Sequence, residues 1–286
     1  MEYAILGRTG RRVSRLGFGG ATAGLKNYLH EFDPSRAEDR EPIIAALHRA
    51  LELGINYFDT AAGYGDGASE RIFGEGLEKT DPASIFLATK VGVWKETEVR
   101  RSLEASLKNL RRDYVDLLQI HGTAYNDEHA GRVLRKGGYL DQMEKLREEG
   151  LIKFLGFTVE AVNEPCYRFI KTGRFDVMQI LYNVLFQHPF DPGWKSGALY
   201  DAEAQQMGVA AMRATSSNIL QRWIQTVNPA NTFDYTPAII QYTLSCPFVD
   251  VALVGMRSVR RVESNVNIVE DTAGRVDIEA LFKRFV

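Results

Sequence analysis

Short runs of apolar, β-branched and aromatic residues recur along the chain, each followed by a longer stretch whose apolar residues return every three or four positions. The first pattern suits a strand buried on both faces and the second a helix packed by one face, so their alternation predicts βα units around a parallel sheet. The strand runs lie at residues 14–20, 56–60, 85–91, 115–121, 154–158, 177–181, 209–213 and 251–254. The clearest helical patterns lie at 42–53, 69–79, 96–110 and 140–149. Gly54 and Gly150 follow two of them, where a left-handed cap is needed.

This many βα pairs suit a closed (β/α)8 barrel, and barrels of about 250 residues are ordinary single domains. The competing arrangement is an open doubly wound sheet, which usually carries a glycine-rich turn that leads from the first strand straight into the first helix. Here GFGG is followed by a long, mostly polar stretch instead. The opening MEYAILGRTGRRVSRLGFGG, with Gly7 and Gly10 between alternating apolar segments, predicts a small hairpin ahead of the first barrel strand. No linker or shift in composition divides the chain, so residues 1–286 are expected to form one domain. Stretches without clear periodicity, at 26–39, 123–136, 186–196 and 214–235, follow strand ends, on the face where barrel enzymes build their sites.

Charge adds an exclusion. The formal net charge is −2 with both signs interspersed, so nothing marks a nucleic-acid or anionic-membrane surface, and a small molecule is the expected partner. The first residues lack the apolar stretch of a secretory signal, and no run approaches the roughly 18 apolar residues of a membrane span, so a cytoplasmic location is expected. Two cysteines, Cys166 and Cys246, stand in unrelated contexts with no partner at ligand spacing, which argues against a disulfide framework or a metal site.

Candidate chemistry gathers at the strand ends. The second strand runs into NYFDTAAGYGDGASE, with Asp59 and Tyr64 joined by small residues that permit a tight loop. The third ends ATKVG and carries Lys90, which would be costly to bury without a partner; the fourth ends DLLQIHG and carries His121. Each alone fits a turn cap or a satisfied structural residue. At the ends of three successive strands they converge on one place.

These residues and their contexts resemble the aldo-keto reductase family, whose proton-relay tetrad is matched by Asp59, Tyr64, Lys90 and His121. The resemblance runs through LELGINYFDTAAGYG, RSLEASLKNLRRDYVDLLQIH, GLIKFLGFT, MQILYN and VGMRSVRRVESN, nearly the whole chain. It implies an NADP(H)-dependent oxidoreductase that interconverts a carbonyl and its alcohol. Tyr64 would be the general acid and base, its phenol brought down from a pKa of about 10 by Lys90; Asp59 would hold Lys90, and His121 would hydrogen-bond the substrate oxygen. It further implies Thr158 and Gln179 on the nicotinamide carboxamide, Arg257 and Ser258 on the 2′-phosphate, Arg261 nearby and Asn265 on the adenine. A guanidinium with a hydroxyl suits a phosphate better than a bare ribose, favouring NADP(H) over NAD(H).

The sequence departs from the family pattern in places. Thr158-Val159 stands where Ser-Asn is usual, Met212 and Arg213 stand where an aromatic residue and a serine are common, and Ser264 replaces an acidic residue. Met212 or Arg213 would then flank the nicotinamide, or Arg213 would reach the cofactor phosphates. Gly122-Thr123 in place of a bulky residue and proline predicts a more open substrate side. Tyr28, His30, Trp94, Tyr125, His188 and Trp194 would wall it, which suits a sugar or keto-sugar. Two other functions stay open: a cofactor-binding regulatory subunit, and a barrel aldolase using Lys90 as a Schiff-base nucleophile.

Overall fold

The computed structural model describes residues 1–29, 31–94 and 98–283. Two short strands, β1 (Tyr3–Ile5) and β2 (Arg12–Ser14), pair antiparallel as the expected hairpin, turned by Gly10 in a left-handed conformation. Eight parallel strands follow: β3 (Leu16–Gly19), β4 (Tyr57–Asp59), β5 (Phe86–Gly92), β6 (Val115–His121), β7 (Ile152–Val159), β8 (Val177–Leu181), β9 (Gly208–Met212) and β10 (Val251–Gly255). They lie in chain order and close, β10 against β3, into a barrel. Closure excludes the open doubly wound sheet.

Alternation along the strands builds two cores. Phe58, Leu87, Leu118, Met178 and Val209 face outward into the layer shared with the helices. Tyr57, Phe86, Leu117, Val177 and Val251 face inward, and the hairpin plugs the lower end of this interior with Leu6 and Val13. Arg11 to Asp116 (3.2 Å) and Arg8 to Asp176 (3.1 Å) fasten the hairpin to the barrel floor. The same period of two carries the inward positions upward from apolar to polar on four strands: Tyr57 then Asp59, Phe86 and Ala88 then Lys90, Leu117 then Gln119, Val177 then Gln179; β9 stays apolar with Ala210 then Met212. The floor is apolar and packed, and the upper rung gathers the polar side chains.

Helices fill most of the connections, with the expected ones at Ala37–Glu52, Ala68–Leu77, Val99–Leu110 and Tyr139–Glu148. The expected start of the third, Glu96, lies outside the described residues. Three stretches read as irregular contain helices. GFGG does lead into a short helix, Ala21–Gly24. Asp127–Leu134 is started by Asn126, whose side chain accepts from the His129 amide at 2.8 Å, and it buries only Ala130 and Val133, too few for a periodic stripe. Ile219–Val227 carries apolar residues at 219, 220, 223, 224 and 227, a helical period that the reading of 214–235 as irregular overlooked, although none of them is buried. Among the described residues no helix is long and apolar enough to cross a membrane, and no cluster could hold a metal ion.

Candidate active site

The upper rung of the barrel brings Asp59, Lys90 and Gln119 together from β4, β5 and β6. Lys90, fully buried, donates from Nζ to Asp59 Oδ1 at 2.6 Å and to the Thr60 carbonyl at 2.7 Å. Burial alone would lower its pKa; Asp59 and Tyr64 more than offset that, and the ammonium is held above the ordinary lysine value. Tyr64, on the loop after β4, places its ring 5.0 Å from Lys90 Nζ and stands edge-on to the His121 imidazole, with ring centroids 5.4 Å apart at 86°. The sequence-derived expectation for the phenol needs correction. Lys90 does pull it down, but burial is the larger effect and the Tyr64 pKa is raised. The hydroxyl therefore keeps its proton at neutral pH.

His121 ends β6, and burial first, then the Lys90 charge, lowers its pKa to about 3. At neutral pH it is an uncharged imidazole with a hydrogen-bond donor to offer. Gln179, on β8, meets Gln119 across the interior: Gln119 Nε2 donates to Gln179 Oε1 at 3.1 Å and to Asp59 Oδ2 at 3.0 Å. Thr158 donates its hydroxyl to the Gly122 carbonyl at 2.7 Å and accepts from the Gly122 amide at 3.0 Å. Asp59, Tyr64, Lys90, His121, Thr158 and Gln179, with Met212 and Tyr28, line a cavity of about 290 Å³ at the C-terminal face, while Gln119 lies outside its lining.

A second cavity, of about 510 Å³, continues from it; Thr22, Leu29, Thr215, Ser217 and Gly255 line both. Arg257, Arg261 and Asn265 line this second part. Arg257 donates to the carbonyls of Thr22 (2.7 Å) and Tyr28 (3.0 Å), with its guanidinium 4.1 Å over Phe32, so it fastens the first loop as well as facing the channel. Ser258 caps the helix Val259–Glu270, accepting from the Arg261 amide at 3.4 Å. Asn265 is buried, and its side chain has no hydrogen-bond partner among the described residues. Ser264 lies on another face of that helix and lines a separate groove.

The substrate side differs from expectation. Gly122 does not open the cavity: a Cβ there would come within 2.3 Å of the Tyr125 ring, which occupies that space. Tyr125 is buried and donates to the carbonyls of Thr158 (2.7 Å) and Ile120 (3.2 Å), so it braces strand ends and is no wall. Trp94, set edge-on to His129, and His188 and Trp194 are exposed and outside the cavity lining. His30 lies outside the described residues. Of that set, Tyr28 lines the cavity. Arg213, left-handed at φ 54°, pairs with Glu160 at 2.7 Å on the cavity rim.

The model of the aldo/keto reductase family matches residues 15–237. The chain belongs to the aldo/keto reductase family. It is 28% identical over 319 aligned residues to L-galactose dehydrogenase of Arabidopsis thaliana, covering 95% of this chain and 89% of that one. It is 33% identical over 132 residues to the aldo-keto reductase YhdN of Bacillus subtilis (strain 168), covering 42% of this chain and 38% of that one. Among solved structures, an aldo-keto reductase from Klebsiella pneumoniae in complex with NADPH shares the fold at TM-score 0.73 and 19% identity, over 99% of this chain and 94% of that one. The holo form of a Bacillus halodurans aldo-keto reductase shares it at 0.74 and 24%, over 98% and 93%.

Motif reading of this aldo/keto reductase passed over Glu160, on the cavity rim, and Gln119, which touches Asp59 and Gln179 from within the barrel. The alternation that places Lys90 inward also places Gln119 inward, so a signal existed; the Glu160 to Arg213 pair depends on loop geometry and left none. The neutral His121 has a measurable consequence. Its folded pKa lies below its unfolded value of about 6.5, so it adds nothing above that pH, and a penalty builds as the unfolded state alone takes up the proton between about 6.5 and 3. His121→Gln is expected to recover about 2–3 kcal/mol of the stability this aldo/keto reductase loses on acidification, read from urea melts at pH 7 and pH 4. An identical pH dependence in the variant would contradict a buried neutral imidazole.

Proposed function

We propose that residues 1–286 form one NADP(H)-dependent aldo-keto reductase domain, which interconverts an aldehyde, ketone or keto-sugar and its alcohol by hydride transfer, with Tyr64 as general acid and base. The observation that carries this reading is the buried Asp59 and Lys90 pair beneath the Tyr64 phenol, at the closed end of a groove whose other end holds Arg257, Arg261 and Asn265. The donor set fits the dinucleotide: two guanidinium groups and the Asn265 amide line one end, and the Gln179 amide lines the other. Thr158 and Gln179 would hold the carboxamide, Met212 would pack beside the ring, Arg257, Arg261 and Ser258 would hold the 2′-phosphate, and Asn265 would face the adenine. Arg213 would have to leave Glu160 to reach the phosphates.

The bound nicotinamide supplies the hydride. Tyr64 would give its proton to the carbonyl oxygen, and the phenolate left behind would be stabilised by the Lys90 ammonium. Asp59 keeps that ammonium protonated and fixed. Neutral His121 donates a hydrogen bond to the same oxygen, which aligns the carbonyl before transfer. The polar rim of Tyr28, Thr123 and Glu160 favours a hydroxylated carbonyl, in keeping with the sugar named for the Arabidopsis relative.

The cofactor assignment is tested by titrating NADPH and NADH by nicotinamide fluorescence. Arg261→Ala is expected to weaken NADPH binding by about 10-fold or more, the cost of one lost charge-assisted hydrogen bond, and to leave NADH nearly unchanged. Equal losses for both dinucleotides would remove Arg261 from the phosphate site. No binding of either would sink the reductase reading.

A further inference from the structure

We infer that Gln119 is a positioning residue that fixes the orientation of the Gln179 amide, and through it the face of the nicotinamide turned toward substrate. The second half rests on the reductase reading above; the first half rests on the geometry of the barrel interior. Gln119 lies fully buried on β6, in register with Lys90 of β5 and Gly156 of β7. Space for it exists because Gly156 lacks a side chain: a Cβ there would come within 3.1 Å of Gln119 Cγ.

Its amide nitrogen makes both of its contacts as a donor, to Asp59 Oδ2 at 3.0 Å and to Gln179 Oε1 at 3.1 Å, while its own Oε1 is buried with no partner. An unpaired buried carbonyl is costly, yet turning the amide over would set that oxygen against the Asp59 carboxylate, acceptor against acceptor. Asp59, held by Lys90, therefore dictates which way Gln119 points. Gln119 in turn occupies the oxygen of Gln179, which leaves the Gln179 Nε2 donor near Asp59 Oδ1 (3.5 Å) and Met212 Sδ (3.8 Å), at the cavity wall. A carboxamide meeting this wall meets an N–H donor and must present its oxygen. The ion pair that governs the proton thus also governs the hydride face, by way of one glutamine outside the tetrad.

Two substitutions and two kinds of readout test this. Gln119→Leu keeps the volume and removes the donor. In the free protein, the side-chain amide resonances of Gln179 are expected to shift and broaden as its orientation is released. With NADPH bound about as tightly as before, kcat is expected to fall about 10- to 100-fold, and hydride transfer from stereospecifically deuterated NADPH is expected to lose its single-face selectivity. Gln119→Glu places a second carboxyl against Asp59; its O–H can serve only one of the two acceptors and only when protonated, so its activity should rise as the pH falls below neutral, a range in which the native rate is expected to stay level. A Gln119→Leu protein with unchanged Gln179 resonances, native kcat and single-face transfer would overturn the inference, whatever its melting temperature, and leave Gln119 a packing residue. Because the resonances are read without cofactor, a protein that binds no NADPH would defeat the reductase reading while this arm still decides Gln119.

Discussion

Tyr64→Phe is expected to lower kcat/KM for carbonyl reduction by about 10²- to 10⁴-fold, the usual worth of a positioned general acid, while NADPH affinity stays within about 3-fold. The substitution removes the one hydroxyl that sits beside the Lys90 ammonium and keeps the ring that packs edge-on to His121, so the fold has little reason to respond. Because burial raises the Tyr64 pKa, the phenol is protonated across the neutral range. Reduction by the native protein should accordingly hold its rate through neutral pH and fall only in alkali, and the variant should lose that limb. Steady-state rates against pH, paired with fluorescence titration of NADPH, check both parts. A variant that keeps native kcat/KM would remove Tyr64 from the chemistry.

Lys90→Met should be costly twice over. Beyond the loss of activity, it strands the Asp59 carboxylate in the barrel interior with only glutamine amides for company, and breaking a buried pair from one side costs about 3–5 kcal/mol. For a domain of this size that is a fall in Tm of roughly 5–20 °C. Two further results separate an uncompensated charge from a packing defect. The penalty should shrink at acid pH, where Asp59 takes up a proton, and the double variant with Asp59→Asn should be more stable than Lys90→Met alone. Urea melts at pH 7 and pH 5 of the single and double variants provide the comparison. Equal stability of native protein and Lys90→Met would mean that the pair adds nothing net to the fold.

The barrel was legible because its strands are buried on both sides and its helices on one, so each left its period in the chain. The hairpin announced itself through Gly7 and Gly10 for a similar reason, since only particular residues turn a chain that tightly. The helix Ile219–Val227 left a helical period of apolar residues that was passed over because that stretch follows a strand end, whereas Asp127–Leu134 stayed hidden because it packs only two residues into the core. At the site, Asp59, Tyr64, Lys90 and His121 were readable as polar residues at strand ends, and the structure brings them within one cavity. What could not be read was who pairs with whom. Arg257 is partly spent on the Thr22 and Tyr28 carbonyls, Tyr125 turns inward against strand ends, and Gly122 makes room for that ring instead of for substrate. The Arg257 bonds and the Tyr125 bond to Thr158 join residues distant in sequence, and composition or spacing carries no trace of them.

The most direct test of the account follows the nicotinamide absorbance while the protein and NADPH are incubated with a panel of aldehydes, ketones and sugars, with Tyr64→Phe alongside. The account predicts oxidation of NADPH by at least one small carbonyl, matched mole for mole by its alcohol and lost in the variant. Oxidation at the same rate in both proteins, or firm NADPH binding with no carbonyl reduced across the panel, would contradict it.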